Sequence, residues 1–297
     1  MSATKNFSSL LPLNWKDNIA AWLKEDIPSF DYGGYVVGEK EEYAILWGKS
    51  EAVVAGVPFF TEVFTQLDCR VEWNLKEGTH FVEKTEVARV YGKSKNILQG
   101  ERLALNILSR CSAIAFKGLQ LNQLKQKHQF KGIIAGTRKT TPGFRLVEKY
   151  GMLVGGIDTH RMDLSSMIML KDNHIWSHGS ITSTIDKARE VGGFSLKIEV
   201  EVQNEGEAVE AIQAGGDIIM LDNLKPPEIH TVAKQLKLRF NNTSENPKQF
   251  LLEASGGIDI HNIEPYFGDD IDVISLGSMT QGVPHVDFSL KIQKVKH

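Results

Sequence analysis

The chain has 297 residues, which is long enough for one large domain or two moderate ones, and its 41% hydrophobic content is typical of a globular protein. A formal net charge of -3 excludes the basic balance of a nucleic-acid-binding protein, and two cysteines, Cys69 and Cys111, are too few for a disulfide framework or a cysteine-based zinc site. With neither a signal-peptide pattern nor the roughly 18 consecutive apolar residues of a membrane helix, the sequence predicts a cytosolic or nuclear protein without nucleic-acid or membrane partners.

The first third of the chain shows no repeating pattern. A helix is predicted over 14–25 and a longer one over 96–116. Short apolar segments separated by turn signals predict strands over 42–47, 51–59, 71–76 and 85–92. These elements indicate a small α+β domain over residues 1–115, and the lysine-rich tail 285–297 is either a solvated edge or packs back on that domain.

From residue 130 onward, short apolar runs alternate with helical stretches. The runs cover 132–137, 153–157, 167–170, 197–202, 217–221, 250–254 and 273–276. The predicted helices cover 144–150, 182–191, 205–214, 227–235 and 260–266, and the polar segment 241–247 is expected to be an exposed loop. The alternation predicts an open or irregular (β/α) barrel of about seven parallel strands over residues 116–284. A doubly wound sheet is the alternative, although its Gly-x-Gly-x-x-Gly turn is missing.

Positive side chains follow the first three apolar runs, where an active site lies in a (β/α) barrel. They are Arg138, Lys139, His160, Arg161 and Lys171. If these groups converge, they repel one another unless a polyanionic ligand or nearby acids compensate them. Because arginine binds carboxylates and phosphates bidentately, the pattern indicates a ligand carrying such groups. The alternative is that each charge points into bulk water.

Acidic side chains follow the next two runs. Lys197, Glu199 and Glu201 share one face of a strand, so Lys197 and Glu199 are expected to form a structural pair, with Glu201 left for a metal or sugar hydroxyls. Asp222 is a second candidate, and its alternative role is a helix N-cap or turn residue.

The last two strand ends are small: Ser255, Gly256 and Gly257, and then Gly277 and Ser278. Glycine lets the backbone approach an anion, and barrels often hold phosphate after their last two strands. Tight turns are the alternative. A phosphorylated sugar with a second anionic group fits the cationic, acidic and small strand ends together.

Several of these stretches closely resemble signature motifs of the quinolinate phosphoribosyltransferase family. The most specific are Thr-Arg-Lys-Thr-Thr-Pro-Gly-Phe-Arg at 137–145, His-Arg-Met-Asp-Leu at 160–164 and Met-Leu-Lys-Asp-Asn-His at 169–174. Further matches lie at 100–106, 199–201, 220–223 and 255–258. The resemblance covers about residues 15–290 in the expected order, and its shortest motif is the one at 277–278.

The resemblance implies an N-terminal α/β sandwich-like domain followed by an irregular, open barrel. It implies transfer of phosphoribose from phosphoribosyl pyrophosphate (PRPP) to quinolinate with decarboxylation, which gives nicotinate mononucleotide, pyrophosphate and carbon dioxide. Arg138, His160 and Arg161 would hold the quinolinate carboxylates, and Lys139 and Lys171 would lie between the two substrates.

The resemblance also implies ligands for the phosphoribosyl group. Glu201 and Asp222 would serve the ribose and its magnesium ion, without an organic cofactor, and Ser255, Gly256, Gly257, Gly277 and Ser278 would take the 5-phosphate. Arg102 would reach the quinolinate of a neighbouring subunit, so the active site would be shared across a homodimer, and some family members join dimers into hexamers. Without the resemblance, an exposed ion pair of Arg102 with Glu101 would be the preferred interpretation.

Two other functions remain open from the sequence. One is a protein of the same fold with another acceptor, such as nicotinate or a ligand linked to molybdate transport. The other is a catalytically silent anion-binding protein. Arg138, His160 and Arg161 together favour two carboxylates on the acceptor, and an anion binder gains nothing from Glu201 and Asp222 beside the cations.

Overall fold

The computed structural model describes residues 6–241 and 249–293, so the expected loop at 241–247 lies outside the described residues apart from Asn241, which ends a helix. Contacts group the chain into two compact units. Of the described residues, the first unit comprises 6–119, Thr141–Gly156 and 282–293, and the second comprises Gln120–Thr140, 157–241 and 249–281. The sequence-based division at residue 115 instead places 141–156 with the second part.

The helices, in chain order, are α1 (Trp15–Asp26), α2 (Tyr32–Val37), α3 (Val57–Thr65), α4 (Ser94–Lys127), α5 (Arg145–Val154), α6 (Asp172–His178), α7 (Ile181–Gly192), α8 (Glu205–Ala214) and α9 (Pro226–Asn241). The strands are β1 (Glu41–Gly48), β2 (Ala52–Val53), β3 (Arg70–Trp73), β4 (His80–Phe81), β5 (Thr85–Lys93), β6 (Ile133–Ala135), β7 (Ile168–Leu170), β8 (Ile198–Val202), β9 (Ile218–Asp222), β10 (Leu251–Ser255), β11 (Val273–Ser275) and β12 (Phe288–Ile292). Short 3-10 turns cover Phe7–Leu10, Glu264–Tyr266 and Gly277–Met279.

The first unit contains a four-stranded antiparallel sheet in the order β12-β1-β5-β3, so the C-terminal strand pairs with β1. The prediction of a strand over 51–59 was wrong beyond Val53, because the chain turns at Gly56 (φ 100°) and begins α3 with Pro58 in its first turn. Helix α5 belongs to this unit because Gly151 within it and Gly155 directly after it let the chain approach α4. A Cβ on Gly151 would lie 2.7 Å from the carbonyl oxygen of Cys111.

The second unit contains a parallel six-stranded sheet in the order β6-β11-β10-β9-β8-β7. Strand β9 is apolar on both faces, with Ile218, Ile219, Met220 and Leu221 all buried, whereas β8 buries Ile198, Val200 and Val202 on one face and carries Glu199 and Glu201 on the other. Helix α8 begins at a capping Asn204 and ends at Gly215 in the left-handed conformation. The predicted fold class, an irregular open α/β barrel with an N-terminal α+β domain, is confirmed by this parallel sheet and by the antiparallel sheet of the first unit.

Two elements of the second half were predicted wrongly. The run 153–157 is not a strand: α5 ends at Val154, and only a single parallel bridge joins Ala135 to Asp158, which leaves six strands instead of seven. A short apolar run does not by itself distinguish helix from strand. The helix predicted over 260–266 is reduced to the turn Glu264–Tyr266, because Asp259 caps a local turn and Pro265 follows.

The parallel direction of all six strands places their carboxyl ends at one edge of the sheet, where the charged residues singled out above are located. None of the described helices is long and apolar enough to cross a membrane.

Candidate active site

A cavity of about 700 Å³ opens at the carboxyl ends of the parallel strands in the second unit, a volume within the usual range for small-molecule sites. Every site residue predicted in the barrel lines it. They are Arg138, Lys139, His160, Arg161, Lys171, Glu201, Asp222, Ser255, Gly256, Gly257, Gly277 and Ser278. The structure therefore brings the cationic, acidic and small strand ends into one cavity.

The two arginines form the cationic end of the cavity. Nε of Arg138 is buried and has no hydrogen-bond partner among the described residues. The Arg161 guanidinium donates from Nη1 to the carbonyl of Met167 at 3.3 Å and from Nη2 to Sδ of Met169 at 3.3 Å. Burial, and then the nearby Arg138, lower the pKa of Arg161. An anionic ligand beside Arg161 would offset both the burial of its charge and its repulsion by Arg138.

The two lysines lie at the boundary between the cationic and acidic ends. Nζ of Lys171 is 2.5 Å from Oε2 of Glu201. The loop around Lys139 is anchored by Thr280, whose hydroxyl donates to the Lys139 carbonyl. A Cβ on Gly277 would lie 2.9 Å from Cδ of Lys139, so this glycine also makes room for the lysine.

Glu201 and Asp222 form the acidic end. Burial, and then the charge of Glu201, raise the pKa of Asp222. Nδ2 of Asn223 donates to Oδ2 of Asp222 at 2.5 Å. Asp222 is the last residue of β9 and α9 begins only at Pro226, so the N-cap alternative for Asp222 is wrong.

The expected Lys197–Glu199 pair was wrong: Lys197 is exposed, whereas Glu199 is fully buried and faces His160, with 3.6 Å between Glu199 Oε2 and His160 Nε2. The same Nε2 is 3.2 Å from Oε2 of Glu253, and Nδ1 of His160 accepts the backbone N–H of Arg161 at 2.8 Å. Burial, and then Glu253, raise the pKa of Glu199. The sequence analysis missed Glu253, although a glutamate within the apolar run 250–254 was a usable signal.

The small strand ends adopt conformations that favour glycine. Gly256 has φ 109°, and a Cβ there would lie only 2.3 Å from Oδ1 of Asn223. Gly257 has φ 63°, with open space around its Cα. Asn223 also lines the cavity and has a positive φ of 61°, which the sequence pattern did not indicate. The hydroxyl of Ser278 donates to the carbonyl of Ile258 at 3.2 Å.

Arg102 lies elsewhere. It is exposed on α4 in the first unit and lines a separate cavity of about 300 Å³ with Trp22 and Phe144. Within residues 6–241 and 249–293, neither Glu101 nor any other acid forms an ion pair with it. The alternative of an Arg102–Glu101 pair was therefore wrong.

The open α/β barrel therefore has one cavity in which a cationic end, an acidic end and glycine turns meet, which is the arrangement expected of an enzyme that binds a phosphorylated sugar together with a second anion. Models of the quinolinate phosphoribosyl transferase N-terminal and C-terminal domains match residues 32–112 and 115–291. The chain therefore belongs to the quinolinate phosphoribosyltransferase family and is a phosphoribosyltransferase of pyridine nucleotide biosynthesis.

Relatives and solved structures agree with this assignment. A Dictyostelium discoideum protein named carboxylating nicotinate-nucleotide pyrophosphorylase is 54% identical over 97% of this chain and 99% of its own length. The Homo sapiens protein of the same name is 46% identical over 95% of this chain and 93% of its own length. The crystal structure of NadC from Streptococcus pyogenes superposes with a TM-score of 0.86 at 34% identity, covering 96% of this chain and 99% of that one.

Proposed function

We propose that the 700 Å³ cavity is the site at which quinolinate attacks PRPP and loses a carboxylate. The observation that carries this proposal is the meeting of Arg138 and Arg161 with Glu201 and Asp222 in one cavity. A pyridine dicarboxylate suits the arginine end, because arginine pairs bidentately with carboxylates. The ribose suits the acidic end, which a purely anionic ligand would avoid.

The reaction needs positioning and charge more than proton transfer. The pyridine nitrogen carries a lone pair, so no residue has to deprotonate it before it attacks the anomeric carbon and pyrophosphate leaves. Positive charge develops on the ribose, which the carboxylates of Glu201 and Asp222 would stabilise, while Lys139 and Lys171 would stabilise the departing pyrophosphate. Breaking the bond to the adjacent carboxylate releases carbon dioxide and leaves its electron pair on the ring carbon, where the positive charge of the quaternised nitrogen stabilises it until that carbon takes a proton from water.

Magnesium is the metal we assign to this site. Its oxygen ligands would come from PRPP, with Glu201 and Asp222 as the protein carboxylates beside it. The donor set fits, since these two acids are close enough for Glu201 to raise the pKa of Asp222, and a divalent cation would offset that repulsion. When bound, magnesium would neutralise charge on the pyrophosphate.

The 5-phosphate is assigned to the two glycine turns. Positive φ angles at Gly256 and Gly257 let the backbone approach an anion closely, and Gly277 and Ser278 line the same end of the cavity. This placement follows the tendency of barrels to bind phosphate after their last strands.

A homodimer would complete the site. Arg102 is exposed, forms no ion pair among the described residues, and would supply a third cation to the quinolinate of a neighbouring subunit. Association of dimers into hexamers is a further expectation. Arg102→Ala should lower activity, and mixing Arg102→Ala with an inactive Lys139→Ala chain should restore part of it through mixed dimers.

A cytosolic location, with or without a nuclear pool, is the expected one. The buried, unpaired Cys69 and Cys111 support it, since disulfides persist mainly in oxidising compartments.

The direct test mixes the purified protein with PRPP and either quinolinate or nicotinate, with and without magnesium. We expect nicotinate mononucleotide and carbon dioxide from quinolinate only, and only with magnesium. Product from nicotinate alone would move the chain to the alternative acceptor, and binding of quinolinate without any product would favour a silent anion binder.

A further inference from the structure

His160 lies at the cationic end of the cavity, but neither of its ring nitrogens is available to a ligand. Nδ1 accepts the backbone N–H of Arg161 at 2.8 Å, and Nε2 is 3.2 Å from Oε2 of Glu253. Its side chain is only 8% exposed. A histidine that bound a substrate carboxylate would need an N–H directed into the cavity.

The hydrogen bond from Arg161 determines which tautomer His160 adopts. A nitrogen that accepts a hydrogen bond carries no proton, so Nδ1 is bare and the ring proton is on Nε2. The doubly protonated ring is disfavoured, because its Nδ1–H would point at the Arg161 N–H. Nε2–H therefore donates to Glu253, which is 1% exposed and has no other hydrogen-bonded side chain among the described residues.

The hydrogen bond from the Arg161 N–H to Nδ1 of His160 also argues against a metal ion bound by His160, Glu199 and Glu253. One ligand atom each from His160, Glu199 and Glu253 lie within 4.8 Å of one another, a spacing that would suit a cation. A metal-bound histidine, however, usually donates the N–H of its other ring nitrogen. Here that nitrogen is Nδ1, which accepts a hydrogen bond instead. A proton between His160 and Glu253 satisfies the geometry, and a metal ion does not.

The backbone at His160 is held in a conformation that non-glycine residues seldom adopt. Its φ is 56°, and Oδ1 of Asp158 accepts the His160 N–H at 2.6 Å. Such left-handed residues persist where their surroundings hold them, and they are frequent at functional sites. Nδ1 of His160 also accepts the backbone N–H of Arg161. The backbone conformation at His160 therefore determines the direction in which Arg161 places its guanidinium.

We propose that Glu253 is a positioning residue for quinolinate: it accepts the Nε2–H of His160, and His160 in turn fixes the backbone of Arg161, which binds the carboxylate. His160 is then a positioning residue rather than a ligand of the substrate. This inference rests on the proposed function only for the identity of the ligand, because the hydrogen-bonded chain itself can be measured in the protein without substrate.

The first experiment determines the tautomer. Protein labelled with ¹⁵N-histidine is examined by long-range ¹H–¹⁵N NMR, and His160→Gln identifies the His160 signal by its loss. We expect a neutral ring protonated at Nε2, before and after addition of quinolinate. A ring protonated at Nδ1, or a doubly protonated ring with quinolinate bound, would overturn the proposal.

The second experiment separates positioning from stability. Glu253→Met removes the acceptor at similar length and should raise the KM for quinolinate about tenfold while kcat and the KM for PRPP change less than about twofold. Glu253→Gln should restore the wild-type KM, since its carbonyl accepts the Nε2–H and its amide can donate to the buried oxygens of Glu199, which have no hydrogen-bond partner.

Glu199→Met is the matched control, because Glu199 faces the same ring at 3.6 Å but does not form the shorter bond. We expect it to leave the tautomer and the quinolinate KM near wild type. An equal rise in KM in Glu253→Met and Glu199→Met, or no rescue by Glu253→Gln, would contradict the proposal. If Glu253→Met does not fold, the tautomer of His160 in the wild-type protein still tests the proposal. Wild-type protein that makes no product would refute the proposed function, and the tautomer result would be unaffected.

Discussion

Two glutamates, Glu148 in the first unit and Glu199 in the second, are equally buried at 0% exposure, yet their surroundings are opposite. Glu148 accepts from Nε and Nη2 of Arg110 at 3.0 and 2.9 Å and from the N–H and hydroxyl of Thr141 at 2.9 Å each. Both oxygens of Glu199 lack a hydrogen-bond partner among the described residues. The hydrogen bonds of Glu148 stabilise the folded protein. The charged form of Glu199 is unfavourable, because it is buried beside the cavity without a hydrogen bond from the described residues.

The largest expected effect tests the stabilising role of Glu148. Glu148→Ala removes the acceptor of Nε and Nη2 of Arg110 and of the Thr141 N–H, and it should lower the free energy of unfolding by about 3–5 kcal/mol. Chemical denaturation of both proteins at one fixed concentration measures this, so that no concentration-dependent contribution enters the comparison. A loss below about 1 kcal/mol would remove the contrast with Glu199.

Arg161→Ala tests the functional region. Losing this cation should cost about 2–4 kcal/mol of transition-state binding, or roughly 30- to 1,000-fold in kcat/KM for quinolinate. The thermal midpoint should not fall, because burial and Arg138 already disfavour the charge of Arg161 and lower its pKa. Steady-state kinetics and a thermal melt on the same preparation test both parts, and wild-type kcat/KM would refute the assignment.

Gly256→Ala tests the strain in the glycine turn at residues 255–257. The substitution combines a φ of 109° with a Cβ 2.3 Å from Oδ1 of Asn223, so we expect a stability loss of about 1–3 kcal/mol and a raised KM for PRPP. Gly257→Ala is the matched control, because its φ is 63° and nothing lies within 4 Å of the added Cβ. Equal losses in the two variants would show that the contact with Asn223 has no effect.

The smallest expected effect is a change in the pH dependence of stability. Burial raises the pKa of Glu199 above its ordinary value of 4.5, so above that pH the folded protein keeps a proton that the unfolded chain has lost. Folding then binds a proton, and this contribution to stability is lost as pH rises from 4.5 toward the raised pKa. Glu199→Gln should remove the decline, whereas Glu190→Gln, at an exposed position on α7, should keep it. Identical pH slopes in wild type and Glu199→Gln would contradict the assignment.

Much of the site could be predicted from the sequence because its residues follow the strands directly. Arg138 follows β6, Lys171 follows β7, and Asp222 ends β9, so assigning the strands was sufficient to collect these side chains at one edge. The predicted strand over 153–157 shows the limit, since α5 and a bridge at Asp158 replace it while His160 and Arg161 still reach the cavity.

By itself, the sequence determined the parallel α/β sheet, the positions of the charged strand ends and the family, because each is encoded in neighbouring residues. The packing of the folded chain was needed to show that Glu199 faces His160 instead of pairing with Lys197, and that Oε2 of Glu253, 93 residues away in the chain, lies 3.2 Å from Nε2 of the same ring. Only it placed 141–156 in the first unit. These arrangements depend on how separate strands and helices pack, and side chains brought together in that way leave no pattern in the local sequence.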